Sequence, residues 1–429
     1  MKRNIFIIGG GFLGLATAKN FLSKNYKVHI IESSNSLGGL AMPLYYKGHW
    51  IDKYYHFYFL YDDLYTKKFF LDCKVNYNVT WKKIKTDTYI NYKFYNFDNL
   101  ISIVKICKFE TLKVIISLIK IKLSIPNNNL DHITANKWAK KEFGNNFYKL
   151  IWMPLLKSKF GKHWKTISAL WLAKRIKTHL ATKTLNGKSM FGYLIPTYRE
   201  IINKVQNLIT KYNGKIYLNE KICSATIKNN FITQLNTNKK KIHLNKNSIV
   251  ISTIPYANLK LINNLERKIN YVKKFDTIGA IILIVFLKKK LSNCYWTTVP
   301  DKRIIFDVVI QQNRLYPREE FEVIYLSKYY SLNEHIAKLE NKFIEKMFMN
   351  DLRTMFKKLE KEDIISTKLF RTNYAAPVPS VRSFSKINNI KTSIKNFYHT
   401  SYDHCYPNDR GVGNSINLGY KISEIIKNN

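Results

Sequence analysis

The chain opens on an uninterrupted apolar run, Asn4-Ile5-Phe6-Ile7-Ile8, too short for a helix and long enough for a buried strand. Glycine then takes over in Gly9-Gly10-Gly11-Phe12-Leu13-Gly14. Apolar residues return at helical spacing through Leu22. A second apolar run, 27–31, ends at Glu32. This predicts strand, glycine turn, helix, strand and acid. Residues 84–98 alternate loosely and predict a hairpin turning at Ile90-Asn91-Tyr92. From Ile101 to Ile125 the chain is apolar and dotted with lysine, and Pro126 stops it, which predicts one or two amphipathic helices. Residues 138–175 read as helical, with breaks at Pro154 and Gly161. A helix over 198–212 precedes Gly214 and a strand at 215–218, and β structure continues over 221–227. Strands follow at 248–253, 278–287 and 321–326, with a helix over 332–360. The chain closes on a strand near 396–400, a loop holding Pro407, Gly411 and Gly413, and a helix from about Asn414. Helices and strands alternate in blocks, so the fold class is mixed α/β.

The opening unit has the form of a dinucleotide-binding βαβ motif. Gly9 permits the tight turn, Gly11 lets backbone approach a pyrophosphate, and Gly14 lets helix and strand pack closely. The helix N-terminus offers free N–H groups and the positive end of its dipole to phosphate. Glu32 can accept hydrogen bonds from a ribose hydroxyl pair, and its charge disfavours a 2′-phosphate. An export signal would have to use Met1-Lys2-Arg3, the apolar run and Ala16-Thr17-Ala18. Three glycines inside its apolar region, and the strand and acid that follow, argue against it. Gly38-Gly39 forms a second landmark, suited to a chain passing close beneath a cofactor.

Composition bounds the function. With 429 residues, 46% hydrophobic and 14% aromatic, the chain is globular. Its formal charge of +42 invites a nucleic-acid reading. The excess is mostly lysine spread along the whole chain, and Arg is scarce. Asn, Ile, Tyr and Phe are enriched as well, so AT-rich codon bias explains the set together. Specific nucleic-acid sites favour clustered Arg forks, so no specific nucleic-acid partner is expected. The charge still attracts anionic surfaces. Core packing or a lid suits the 101–125 stretch, and peripheral membrane contact is the alternative. Cys73, Cys107, Cys223, Cys294 and Cys405 lie far apart without metal-site spacing and suit a reduced cytoplasmic protein.

With these landmarks in view, the chain resembles the FAD-dependent amine oxidase and protoporphyrinogen oxidase-like superfamily. That group takes in carotenoid desaturases and, more distantly, UDP-galactopyranose mutase. The resemblance rests on the glycine motif 9–15, on Glu32 with Gly38-Gly39, and on Asp52-Lys53-Tyr54-Tyr55-His56. It continues in Trp152-Met153-Pro154-Leu155-Leu156, Lys159-Phe160-Gly161, Gly192-Tyr193-Leu194 and Tyr295-Trp296. Tyr406-Pro407-Asn408-Asp409-Arg410-Gly411 completes it. It implies a Rossmann-like FAD-binding domain built from 1–60, 190–262 and 390–429. The discontinuous substrate domain, α+β in character, would be 61–189 and 263–389. The implied FAD contacts are Gly9, Gly11, Phe12, Leu13, Gly14, Glu32, Ser33, Gly38, Gly39 and Leu40. Ile222 would meet adenine through its backbone. Gly411, Gly413 and Asn414 would bring the last helix to the flavin's pyrimidine edge. Ser36 and Leu40 stand where many members carry Arg, and no aromatic cage for an amine is evident.

The resemblance implies an oxidoreductase that moves a hydride from a small or lipid-like organic substrate to flavin N5. The alternatives are a redox-neutral flavoenzyme acting on a nucleotide-sugar, and a protein that only holds the dinucleotide. Three residues are candidates for the chemistry. His56 can move a proton beside the flavin, or it can be a core histidine. A desolvated Lys159 can steer water or substrate, or it can be one solvated lysine among many. Arg410 can pair with pyrophosphate or an anionic substrate group, or it can bind loop carbonyls. No metal site is visible, and the oligomeric state stays open.

Overall fold

The computed structural model describes residues 3–23, 25–59, 64–96, 108–182, 189–195, 197–265, 268–269 and 275–428. The N-terminal strand β1 (Arg3–Ile8) lies at the centre of a five-stranded sheet. Its neighbours are β2 (Tyr26–Ile31) on one side and Ile249–Ser252 on the other. Lys215–Tyr217 and Phe397–His399 form the edges, and every pair is parallel. The inner strands are largely apolar because both faces are covered, one by the helices at 12–21, 199–211 and 412–427 and the other by a small antiparallel sheet that includes Ile222–Lys228 and Phe231–Thr237. Strand order reverses direction at β1. The crevice at its carboxyl end is therefore the topological switch point of the sheet, where such folds take ligands. The strands come from the beginning, the middle and the end of the chain.

A second sheet of seven strands is built around Thr277–Leu287, which is almost wholly buried. It pairs antiparallel with Glu322–Ser331 on one side and Ile364–Pro377 on the other. The expected hairpin turns at Asn91 and Tyr92, both at positive φ (51° and 60°), between Thr86–Ile90 and Lys93–Asn96. A helical layer holds Thr111–Leu123, Ala135–Phe143, Met153–Phe160 and Ala169–Ala181, packed around Trp138, Phe143, Phe160 and Trp171. Residues 101–107 of the expected amphipathic stretch lie outside the described residues.

Three expectations need correction. Pro154 does not break the helical region. It occupies the first turn of Met153–Phe160, where its missing N–H is harmless. The breaks fall at Gly144 and Gly161, both at positive φ (90° and 50°). The helix expected over 332–360 is confined to Asn341–Met355. The 14-residue strand Ile364–Pro377 follows it, unforeseen because its half-exposed positions carry mixed polar and apolar side chains. The last helix, Val412–Lys427, starts earlier than expected, so Gly413 belongs to its first turn.

Candidate active site

The glycine turn follows β1 at once. Gly9 has φ +104°, and a Cβ at Gly14 would lie 2.1 Å from the Gly9 carbonyl oxygen, so α1 (Phe12–Phe21) and β1 touch through bare backbone. Thr253 braces this turn, its hydroxyl donating to the carbonyls of Ile8 (3.0 Å) and Gly9 (3.1 Å). Gly11 caps α1, and a Cβ built there meets nothing within 4 Å. Gly38 and Gly39, both at positive φ, close the turn from behind. The Gly38 N–H donates to the Gly10 carbonyl (2.8 Å), and a Cβ on Gly39 would sit 3.2 Å from the Gly11 Cα.

Glu32, at the end of β2, faces the same turn. One carboxylate oxygen accepts the Gly10 N–H at 2.7 Å, and the other accepts the Ser34 N–H at 2.8 Å and the Ser33 hydroxyl at 3.2 Å. The backbone of Glu32 accepts the N–H of Glu220. This ties the acid to the segment that leads into Ile222 at the start of Ile222–Lys228. Leu40 sits half-exposed in the short turn Gly39–Ala41. Phe12 and Leu13 are buried. Phe12 packs edge-on against Tyr198 (4.8 Å between centroids), and Leu13 packs against Leu418 and Cys405.

The last helix runs beside α1 in the same direction. Leu13 meets Leu418. A Cβ on Gly419 would lie 2.7 Å from that of Ala16, and the Lys427 ammonium reaches the Asn20 carbonyl at the far end. The two N-termini therefore open on the same side of the molecule. Gly411 caps the second one, and a Cβ there also meets nothing within 4 Å. Two positive helix ends with open space in front of both form a cradle for an elongated anion. Asn414, expected at the flavin, donates its side-chain amide to the Asp409 carbonyl (2.8 Å) and so fixes the loop before the helix.

That loop carries a charge cluster. Asp409 accepts a hydrogen bond from the Lys159 ammonium (3.1 Å) and pairs with the Arg175 guanidinium (3.4 Å). Arg410 donates to the Ala375 carbonyl and lies 3.5 Å from the Tyr329 hydroxyl. Lys159 also stands 4.6 Å from the Trp171 ring centroid. Burial pushes the Asp409 carboxyl up, yet Lys159, Arg175 and Arg410 hold it well below the usual carboxylate range. Burial lowers the pKa of Lys159 against the pull of Asp409. Burial alone raises the Tyr329 phenol, but Arg410 and Lys159 more than reverse that and lower it. Three cations face one carboxylate here.

His56 is brought near the start of α1 instead. Its ring stands edge-on to Tyr198 at 5.3 Å, and Tyr198 in turn touches Phe12 of α1. The His56 Nδ1 is buried without a hydrogen-bond partner, 3.7 Å from Asp52. A small cavity bounded by Asp52, Tyr58, Tyr193, Thr197 and Tyr198 adjoins it. The neighbouring Tyr55 lies beside Tyr329 and feels Arg410, so the segment holding His56 connects the two halves of the site.

A family model described as an NAD(P)-binding Rossmann-like domain matches residues 7–71. Among curated proteins no sequence matches the chain. Solved structures match over its whole length. An oxidoreductase from Methanosarcina mazei superposes with a TM-score of 0.74 at 14% identity, covering 98% of this chain and 100% of its own. Reduced UDP-galactopyranose mutase gives 0.72 at 14%, covering 100% and 96%. Putrescine oxidase bound to putrescine gives 0.72 at 9%, covering all of both chains. The chain shares the fold of these three structures over nearly its whole length. At these identities the likeness is one of architecture. Among the described residues no group of three or more His, Cys, Asp or Glu side chains could hold a metal ion.

Four residues gained importance only in three dimensions: Arg175, Tyr329, Asp409 and Thr253. In the sequence Arg175 marks only the end of a helical stretch, and Asp409 is only one member of the motif 406–411. The loop before the last helix also buries Asp403, whose carboxylate accepts the Ser401 hydroxyl at 2.8 Å and whose pKa burial raises to about 6. Its folded pKa thus lies above the unfolded value of ~3.9. The folded protein holds the extra proton between pH 4 and 6, so this group's contribution to stability falls as pH rises through that window. Asp403→Asn is expected to gain on the wild type by about 2–3 kcal/mol between pH 4 and pH 7. Denaturant unfolding at both pH values measures this, and a gap that ignores pH contradicts it.

Proposed function

We propose that the protein is an FAD-dependent oxidoreductase acting on a small or lipid-like organic substrate that bears an anionic group. The observation that carries this reading is the pair of side-by-side helices whose N-termini, at Gly11 and Gly411, open on one side of the sheet with clear space before each. That arrangement fits a dinucleotide with an extended second half. FAD held there supplies a two-electron acceptor for a substrate hydride. The free N–H groups at the N-terminus of α1 would bind its pyrophosphate, and Glu32 its adenosine ribose. The start of the last helix provides positive potential where negative charge develops. Lys159, Arg175 and Arg410 outnumber Asp409, so their surplus positive charge suits a carboxylate or phosphate on the substrate. That anchor would orient the reacting carbon and keep its geometry fixed. His56, with its unpartnered Nδ1, is the group available to hold or move a proton.

The purified protein is expected to carry, or to take up on reconstitution, FAD with a flavin visible spectrum. FAD should raise its melting temperature, and Glu32→Ala should remove most of that rise. Anaerobic addition of organic acids, phosphorylated alcohols, amines and UDP-sugars should bleach the flavin with an anionic member of the set. A colourless protein that ignores FAD sinks the reading. Flavin that bleaches only with cationic amines sinks the anionic substrate.

A further inference from the structure

The helix Thr111–Leu123 is apolar on two opposite sides. Its inner side, with Val114, Ser117 and Ile121, is buried in the helical layer. Its outer side carries Leu112, Ile116, Ile119 and Leu123, exposed at 70, 56, 52 and 80%. Phe109 and Ile125, just beyond the two ends, are exposed at 102 and 82%. At 100° per residue the four outer side chains fall within an arc roughly 60° wide, about opposite the buried face. Single exposed apolar residues are ordinary, but a continuous stripe over three turns is not. Exposed Lys113 and Lys120 stand on one shoulder of the stripe and exposed Lys122 on the other.

No acid interrupts the stripe. Glu110, at the helix start, is engaged by the N–H groups of Asn146 and Phe147. Glu142 lies 3.8 Å from Lys120, on the side of the neighbouring helix. Burying these apolar side chains within the protein would need a partner element. The lysines on both shoulders instead specify what the partner must be: apolar in the middle and anionic along the rim.

We propose that this face of the 111–123 helix lies in the interface of an anionic lipid bilayer. The Leu and Ile stripe reaches the acyl boundary. The lysine stems run along it and keep their ammonium groups among the phosphates. A net charge of +42 draws the whole molecule toward such a surface, and the stripe then fixes which face touches it. The helix has 13 residues, and no helix among the described residues is long and apolar enough to cross a membrane. The contact is therefore with one leaflet, in the plane of the surface. It does not depend on the flavin.

The test is co-sedimentation of the full-length protein with vesicles at about 0.15 M salt, where long-range attraction is screened. One set is phosphatidylglycerol with phosphatidylcholine, and the other is phosphatidylcholine alone. The wild type is expected to pellet with the anionic vesicles. Ile116→Gln combined with Leu123→Gln should weaken partitioning roughly tenfold or more, because the contact loses two buried aliphatic side chains. Lys113→Gln with Lys120→Gln should weaken it less and flatten its dependence on lipid charge. The altered side chains are solvent-exposed, so an unchanged melt checks that the fold survives. Three results overturn the proposal. The wild type fails to pellet. The stripe variant pellets like the wild type, which makes diffuse charge the cause. Or sedimentation velocity shows a dimer that the stripe variant dissolves, which makes a second copy the occupant.

Discussion

Gly14→Ala is expected to destabilise the protein by about 3 kcal/mol and to raise the dissociation constant for FAD by at least roughly tenfold. Alanine ordinarily stabilises a helix interior by about 1 kcal/mol over glycine. Here its Cβ would lie 2.1 Å from the Gly9 carbonyl oxygen and 3.2 Å from the Thr253 hydroxyl. The first of these neighbours is backbone, held in a positive-φ turn between β1 and α1, so it cannot swing aside as a side chain would. The helix must move instead, and the free N–H groups of its first turn move with it. Gly11→Ala provides the contrast. Its Cβ meets nothing within 4 Å and its φ of −70° is ordinary, so the fold should tolerate it within about 0.5 kcal/mol. The space it enters is the space a phosphate needs, so FAD affinity should still fall. Urea unfolding and FAD titration of both variants separate the two effects. A Gly14→Ala protein with wild-type stability and affinity refutes the close-packed turn. A Gly11→Ala protein with unchanged affinity refutes the placement of the phosphates.

The contrast explains what the sequence could reveal. The turn was legible because each of its demands falls on one residue type within a short stretch: glycine where backbone meets backbone, acid where β2 ends. Asn91 and Tyr92 were legible for a similar reason, since a short hairpin needs positive φ at its tip. The charge cluster was not legible. Lys159 lies 250 residues from Asp409. The resemblance singles out Lys159 and Arg410, but in a chain with 71 Lys and Arg against 29 Asp and Glu nothing in the sequence shows that they share Asp409. Only the packing of Met153–Phe160 against Glu322–Ser331, and of both against the loop before the last helix, makes Lys159 a neighbour of Tyr329 and Asp409. Ile364–Pro377 escaped notice because an edge strand that is half-covered on both faces shows neither alternation nor a continuous apolar run.

The cluster also gives the sharpest test of the substrate side. Asp409→Asn removes the carboxylate that Lys159, Arg175 and Arg410 share and leaves three partly buried cations facing one another. Breaking such a pair is expected to cost about 3 kcal/mol, at the low end for buried ion pairs because these side chains retain some contact with water. The pH dependence fixes the sign. The folded-state pKa of Asp409 is depressed, so its contribution is complete above the unfolded value of ~3.9 and is lost as pH falls through the folded value. The gap between variant and wild type should therefore be full at pH 7 and begin to close below about pH 4. Activity should move the other way. With one negative charge gone, the surplus positive charge grows, and KM for a carboxylate- or phosphate-bearing substrate should fall by roughly tenfold, or about 1.4 kcal/mol, while KM for a neutral analogue stays put. A salt bridge with only a structural role would weaken the fold and leave both KM values unchanged. If the less stable variant shows no preference for the charged substrate, the cations serve the loop and not the ligand.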